Sequence, residues 1–272
     1  VLVVSVVSLK GGVGKTSVVL GLAGAALERG VRTLVVDLDP QANASTVLDP
    51  REVTYTSNDV LADARAGVLR QAVSRSGWGD LVDVVVAERA LEHRNRDLPS
   101  AGRDGTLRLR IAMDGLDGYD LVLVDSPPSL GDLTRNALAA SHRALVVTEP
   151  TLFALHGAQQ ALDAVDVVRR SSNLRLRPAG VVVNRVRARS AEHAYRLREL
   201  EDAYDDLLLT PALPDRAAVQ QAAGAYVPVQ AYRSPGAREV GQVLGGYLER
   251  LLGIDGASGP LGGRAGATRR SR

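Results

Sequence analysis

At 272 residues with 45% hydrophobic content, the chain is long enough to bury one large α/β core, and nothing in its length demands a second. Formal net charge is only +2 although the isoelectric point lies near 9.1, so a nucleic-acid surface would have to come from how the arginines are distributed, not from their sum. The lack of cysteine excludes disulfides, thiolate zinc sites and cysteine-ligated iron–sulfur clusters.

Residues 1–7 form an apolar, β-branched run that predicts a buried strand, and Val19, Leu22, Ala23, Ala26 and Leu27 recur at helical spacing in a pattern that begins near Thr16. Between them stands Lys10-Gly11-Gly12-Val13-Gly14-Lys15-Thr16-Ser17. The glycines therefore fall at a strand-to-helix turn, where successive N–H groups can curl inward onto oxygen atoms and the helix behind adds its positive end. Such a turn predicts a polyphosphate loop, with Lys15 on the β- and γ-phosphates and the Thr16 hydroxyl on Mg²⁺. Lys10 and Lys15 are the only lysines among 33 basic residues, and a compact, flexible ammonium suits a phosphate role that an arginine fork cannot imitate.

Residues 32–36 predict a second short strand, which runs into Asp37-Leu38-Asp39-Pro40-Gln41-Ala42-Asn43. In an open parallel sheet ligands gather beyond the carboxyl ends of the strands, so both aspartates are expected near a metal and a γ-phosphate. Helical patterns at 58–64 and 68–74 lead to a strand-like run at 81–86 and a polar segment at 88–105. His93 has no metal-ligand partner at suitable spacing, and Trp78 reads as a packing residue. Residues 119–125 are an apolar run ending in Asp125, a strand-end carboxylate placed to hold Mg²⁺ or one of its waters, followed by Ser126-Pro127-Pro128-Ser129-Leu130-Gly131 and a helix from Asp132.

A further strand is expected at 144–148, then a long helix to about residue 170, and another strand around 181–186. Asn184 lies in that strand; on its own it reads as a turn asparagine, with an amide able both to donate and to accept hydrogen bonds. Between Arg169 and Arg198 nine arginines meet one acid, Glu192. Arg185, Arg187, Arg189, Arg196 and Arg198 lie around the start of a helix expected at 190–206, with Arg216 and Arg238 as further candidates for a DNA surface. The basic first half of that helix opposes its dipole, which suggests a polyanion on this face. Glu192 with Arg196 and Arg198 with Asp202, each i,i+4, supply the ordinary explanation of a solvated helix. Val240, Val243, Leu244, Tyr247, Leu248 and Leu251 form one stripe on a last helix. Residues 253–272, rich in Gly, Ala, Ser and Arg, are expected to form a disordered basic tail.

Three of these stretches, in order, resemble the ParA and MinD family of P-loop ATPases. Lys10 to Thr16 resembles the deviant Walker A motif Lys-Gly-Gly-x-Gly-Lys-Thr/Ser, Asp37 to Asn43 the switch I pattern Asp-x-Asp-Pro-Gln-x-Asn, and Asp125 to Gly131 Walker B with switch II. Glu149 to Gly157 is similar to a dimer-facing segment, and Leu213-Pro214-Asp215-Arg216 to a closing block beside adenine. The resemblance covers most of residues 1–250. It implies an α/β, single-domain P-loop NTPase over 1–252 with a mostly parallel twisted sheet flanked by helices. It places ATP on Gly11, Gly12, Val13, Gly14, Lys15, Thr16, Ser17, Asn184 and Pro214, with the Asn184 amide on an adenine edge, and Mg²⁺ on Thr16, Asp37 and Asp125. Asp39 would position or activate the attacking water, and Lys10 would reach the partner's phosphates in a nucleotide-sandwich homodimer.

The same resemblance implies a DNA-partitioning ATPase: an ATP-dependent homodimer that binds DNA without sequence preference and is stimulated by a ParB-like protein. The lack of a membrane-length apolar run and of a signal pattern in residues 1–9 leads to a cytoplasmic, nucleoid-associated expectation with no membrane partner. A MinD-like regulator of a protein cargo is the alternative, although Ile254 and Leu261 alone give the tail little area for lipid. A nucleotide-gated scaffold with incidental hydrolysis is the non-enzymatic alternative. Amide-forming synthetases related by fold are more distant, because switch II and the closing block match ParA better.

Overall fold

A computed structural model of the chain describes residues 1–97 and 103–253. Seven strands, β1 (Leu2–Val7), β2 (Thr33–Asp37), β3 (Val73–Arg75), β4 (Val82–Val85), β5 (Leu121–Asp125), β6 (Arg143–Thr148) and β7 (Arg177–Val183), form one sheet in the order β3-β4-β2-β5-β1-β6-β7. Every pairing is parallel except β3 with β4. The strands that lie inside the sheet are β-branched and buried on both faces, as a parallel sheet covered by helices requires.

The helices are α1 (Lys15–Glu28), α2 (Asn43–Leu48), α3 (Ser57–Asp63), α4 (Leu91–Asp97), α5 (Arg103–Ala112), α6 (Asp132–Ala140), α7 (Ala154–Ser171), α8 (Ala191–Tyr204), α9 (Ala217–Gly224) and α10 (Pro235–Leu252). Alternation along β1 sorts them into layers. Val4 and Val6 pack with α1, α9 and α10, whereas Val3 and Val7 face the clusters built on α3, α5, α6, α7 and α8. The one polar residue in the middle of β1, Ser5, is satisfied by a 2.5 Å hydrogen bond with Ser141, whose hydroxyl reaches the Ala137 carbonyl at 2.8 Å.

The helix behind the glycine loop is held tightly. A Cβ on Gly21 of α1 would lie 2.3 Å from Leu244 Cδ1 of α10, and the Gln230 amide donates to the Gly21 carbonyl at 2.8 Å. Tyr247, fully buried on the predicted stripe of α10, donates to the Pro211 carbonyl at 2.5 Å and so ties α10 to the closing segment.

Two expectations change. The pattern at 68–74 is not an α-helix: residues 68–72 make a 3₁₀ turn and Val73 begins the antiparallel strand β3. The basic helix is shorter than 190–206, because α8 ends at Tyr204 and Asp205 leaves it with φ +40°. The tail from residue 254 onward lies outside the described residues. Among the described residues, no helix is long and apolar enough to cross a membrane.

Candidate active site

Parallel strands put their carboxyl ends on one edge, and in register Asp37 lies directly beside Asp125 while Val6 pairs with Asp125 from the other side. The loop after β1 therefore opens beside Asp125, with Asp37 one strand farther along the same edge. Gly14 caps α1 with φ +87°, and a Cβ there would stand 2.2 Å from the Asn184 amide nitrogen, so both backbone hand and close approach demand glycine. With no acid in the first turn of α1, the positive end of its dipole is left for an anion.

Lys15 is buried, and its ammonium donates to Ser8 Oγ at 3.2 Å. Burial pulls its pKa down, opposed by the charges of Asp125 and Asp39. Lys10 is exposed at the mouth of the loop, with only its backbone carbonyl engaged, by Ser8 Oγ at 2.8 Å. Ser8 thus supports both lysines, a role carried by no motif.

Thr16 Oγ1 donates to Asp125 Oδ2 at 2.7 Å, which leaves the hydroxyl lone pairs free for a cation. Among the described residues Asp125 Oδ1 is buried without a hydrogen-bond partner, as is Ser126 Oγ. An orphaned carboxylate oxygen beside a hydroxyl and above a phosphate loop fits Mg²⁺, which keeps several waters and takes its other ligands from phosphates. Among the described residues no three carboxylates or imidazoles make an all-protein metal nest, as that mode of binding implies.

Asp37 is used differently. Its Oδ1 accepts from the Asp39 N–H at 3.0 Å, and its Oδ2 from the Ser45 N–H at 2.9 Å and the Ser45 hydroxyl at 2.8 Å. It organises the switch I turn, and Asp125 offers the open oxygen. Ser45, whose hydroxyl also accepts from the Ala87 N–H at 2.9 Å, was not legible in the sequence, because the contact depends on 37–45 folding back onto β4. Asp39 is buried and accepts from the Gln41 N–H at 3.0 Å through one oxygen, and its charge raises the pKa of Lys15 against the effect of burial.

Burial raises the Asp37 carboxyl to about 6 despite its hydrogen bonds, and burial with the charge of Asp37 raises Asp125. A carboxyl whose folded pKa is raised binds more protons folded than unfolded between the two values, so stability falls as pH rises through that window. For Asp37 the window runs from about 4 to about 6, with a loss on the order of 3 kcal/mol. Thermal unfolding of metal-free protein should therefore show Tm dropping from pH 4 to 6 and continuing to fall above that as Asp125, also raised by burial, ionises, with stabilisation by Mg-nucleotide growing as both acids lose their protons. A metal-free Tm that climbs across that interval contradicts the cluster electrostatics.

Behind the loop, Ser17, Asn184, Pro214, Arg216, Ala217 and Val219 line an open cleft. Pro214 is placed by a parallel bridge to Val186. A narrow apolar recess runs inward from Asn184 and Pro214 past Val47, Val219 and Val227 to Trp78, whose indole N–H donates to the Tyr226 carbonyl at 3.0 Å. Trp78 therefore packs, as expected, and also closes the wall of the cleft.

The arginines separate into distinct environments. Arg187 pairs with Asp215 at 2.9 Å, Arg216 with Glu239 at 2.7 Å, and Arg196 with Glu192 at 2.7 Å and Glu199 at 2.8 Å. Arg196 also lies over the Tyr195 ring, so its position on α8 is explained without a polyanion. Arg185 turns away from α8 onto the phosphate loop, bonding the Gly12 carbonyl at 2.6 Å. Arg189 and Arg198 are exposed and make no ion pair among the described residues, and the pairing of Arg198 with Asp202 is not formed.

A family model described as an AAA domain matches residues 1–177. The chain is 30% identical over 86% of its length to the sporulation initiation inhibitor protein Soj of Bacillus subtilis, spanning 93% of that protein. It is 32% identical over 85% of its length to the chromosome partitioning protein ParA of Caulobacter vibrioides, spanning 86% of it. The chain belongs to the ParA family of P-loop ATPases. Among solved structures, a cobyrinic acid a,c-diamide synthase from Mycobacterium smegmatis with bound ADP and magnesium is 28% identical with a TM-score of 0.75, covering 91% of this chain and 94% of that one. As a P-loop ATPase of the partition and spatial-positioning kind, this ParA-family chain takes ATP with Mg²⁺, and the cluster of Lys15, Thr16 and Asp125 has the chemistry to hold them.

Proposed function

We propose that this chain is a DNA-partition ATPase: Mg-ATP brings two copies face to face, the pair holds DNA without sequence preference, and a ParB-like protein triggers hydrolysis and release. One observation carries the reading, the separation of the two lysines. Lys15 is buried against its own acids, whereas the Lys10 amine is exposed and makes no hydrogen bond or ion pair among the described residues. An ammonium held outside its own phosphate nest is available to a phosphate presented from outside. Beside it, Leu152, Phe153 and Leu155 are 64%, 68% and 40% exposed, an apolar rim suited to a second copy.

In this reading Thr16 and Asp125 would hold Mg²⁺, which would supply charge neutralisation for phosphoryl transfer, while Lys15 would hold the γ-phosphate and Asp39 would orient water for in-line attack. Arg189 and Arg198 remain free for phosphodiesters, and the name of the chromosome partitioning relative supports partition over other positioning tasks. Residues 1–252 act as one ATPase domain, in a cytoplasmic, nucleoid-associated protein.

Lys10→Ala tests it. The variant should bind ATP within about threefold of the parent, since one exposed charge outside the nest contributes little to its own site, yet fail to dimerise with ATP and fail to retain DNA. Light scattering after size exclusion and a DNA shift at two salt concentrations read both effects. An ATP-dependent dimer that survives the substitution removes the reading. The solved synthase favours a second one, in which the γ-phosphate passes to a carboxylic acid. Phosphate release that requires an added acid acceptor would select it.

A further inference from the structure

We propose that Arg185 is a positioning residue for the phosphate loop, aiming the backbone N–H groups that grip the nucleotide; the inference rests on the P-loop ATPase reading. Two consecutive residues at the end of β7 hold two consecutive carbonyls of the loop. Asn184 Nδ2 donates to the Val13 carbonyl at 2.8 Å, and Arg185 Nη1 donates to the Gly12 carbonyl at 2.6 Å. In a planar trans peptide the C=O and the following N–H point in opposite directions. Drawing the Gly12 and Val13 carbonyls toward β7 therefore turns the Val13 and Gly14 N–H groups the other way, toward the phosphates.

The chain accepts strain to do this. Arg185 has φ +58°, a left-handed conformation that a branched or long side chain seldom takes, immediately after the strand. The same Nη1 also reaches Glu149 Oε1 at 2.8 Å, beyond the end of β6. That carboxylate fixes the guanidinium and offsets its charge, so the contribution of Arg185 is orientation of the loop more than attraction of phosphate. Sequence spacing could not reveal the arrangement, because Gly12 and Glu149 lie 173 and 36 residues from Arg185.

The experiment measures ADP and ATP affinity, turnover and amide hydrogen exchange in full-length parent, Arg185→Ala, Arg185→Lys and Glu149→Gln. Arg185→Ala should weaken both nucleotides about tenfold, the scale of losing one charge-assisted hydrogen bond, with faster exchange at Val13 and Gly14 and little change in nucleotide-free Tm. Arg185→Lys should recover most of the affinity, since an ammonium can still reach the Gly12 carbonyl, and Glu149→Gln should stay within threefold of the parent. Parental affinity in Arg185→Ala overturns the proposal. So does a loss that lysine does not restore and that tracks a lowered Tm, which marks a purely structural role. A parent that binds neither nucleotide fails the ATPase reading instead, a separate result.

Discussion

Replacing Lys15 with alanine abolishes nucleotide binding at working concentrations while leaving the nucleotide-free fold intact. Its ammonium is the one lysine charge buried among Asp39 and Asp125, and burial already disfavours that charge. Removing it from the empty protein therefore costs little, and a Tm within a few degrees of the parent is expected, roughly the shift for 1 kcal/mol. With ATP present the balance reverses. Two charge-assisted contacts to the β- and γ-phosphates at about 1.5–3 kcal/mol each correspond to roughly a hundredfold or greater loss of affinity. The acids around the site then lack the cation that offsets them against a triphosphate. Isothermal titration and the ATP-induced Tm shift measure this; a variant that still binds ATP at parental affinity would refute the site.

Asp39→Ala should separate binding from chemistry. The carboxylate accepts one hydrogen bond from the Gln41 N–H and sits close enough to Lys15 for its charge to be felt there. Its loss removes a negative charge facing a γ-phosphate, so ATP affinity should hold or improve. A positioned base or water-orienting group contributes about a hundredfold to ten-thousandfold, and hydrolysis should fall by at least the lower figure. The variant should accumulate with ATP bound. Single-turnover hydrolysis at the parental rate would show that water is oriented by another group, and attention would move to Ser126, whose hydroxyl is buried without a partner among the described residues.

The parts of this molecule that were legible in the sequence are those whose geometry is local. The glycine loop, the acid-bearing end of β2 and the strand ending in Asp125 each dictate their own residues over a few positions. The buried strands could be read from β-branched runs for the same reason. What could not be read depends on distant pairing. Strand β3 has three residues, and Val73, Ser74 and Arg75 become a strand only because Val85, Val84 and Asp83 lie opposite them. The arginines were equally opaque. An i,i+4 rule finds Arg196 with Glu192, but not Arg187 with Asp215 or Arg216 with Glu239, and it credits Arg198 with an acid it does not meet. Asn184 was singled out for adenine, whereas its amide nitrogen holds the Val13 carbonyl, a use invisible without the loop beside it.

The contact between Gly21 and Leu244 bears on how closely α1 and α10 approach. A Cβ at Gly21 would meet Leu244 Cδ1 at 2.3 Å, so α1 and α10 pack at a distance that a glycine allows and a larger residue would reach only by displacing Leu244. The turn after β2 is held by hydrogen bonds from Ser45 and Gln41 to its two aspartates, and Asp125 at the end of β5 accepts from Thr16 on α1. Loss of the terminal phosphate would first change the charge facing these acid-bearing ends, while the Gly21–Leu244 contact lies behind them, farther along α1 than Thr16.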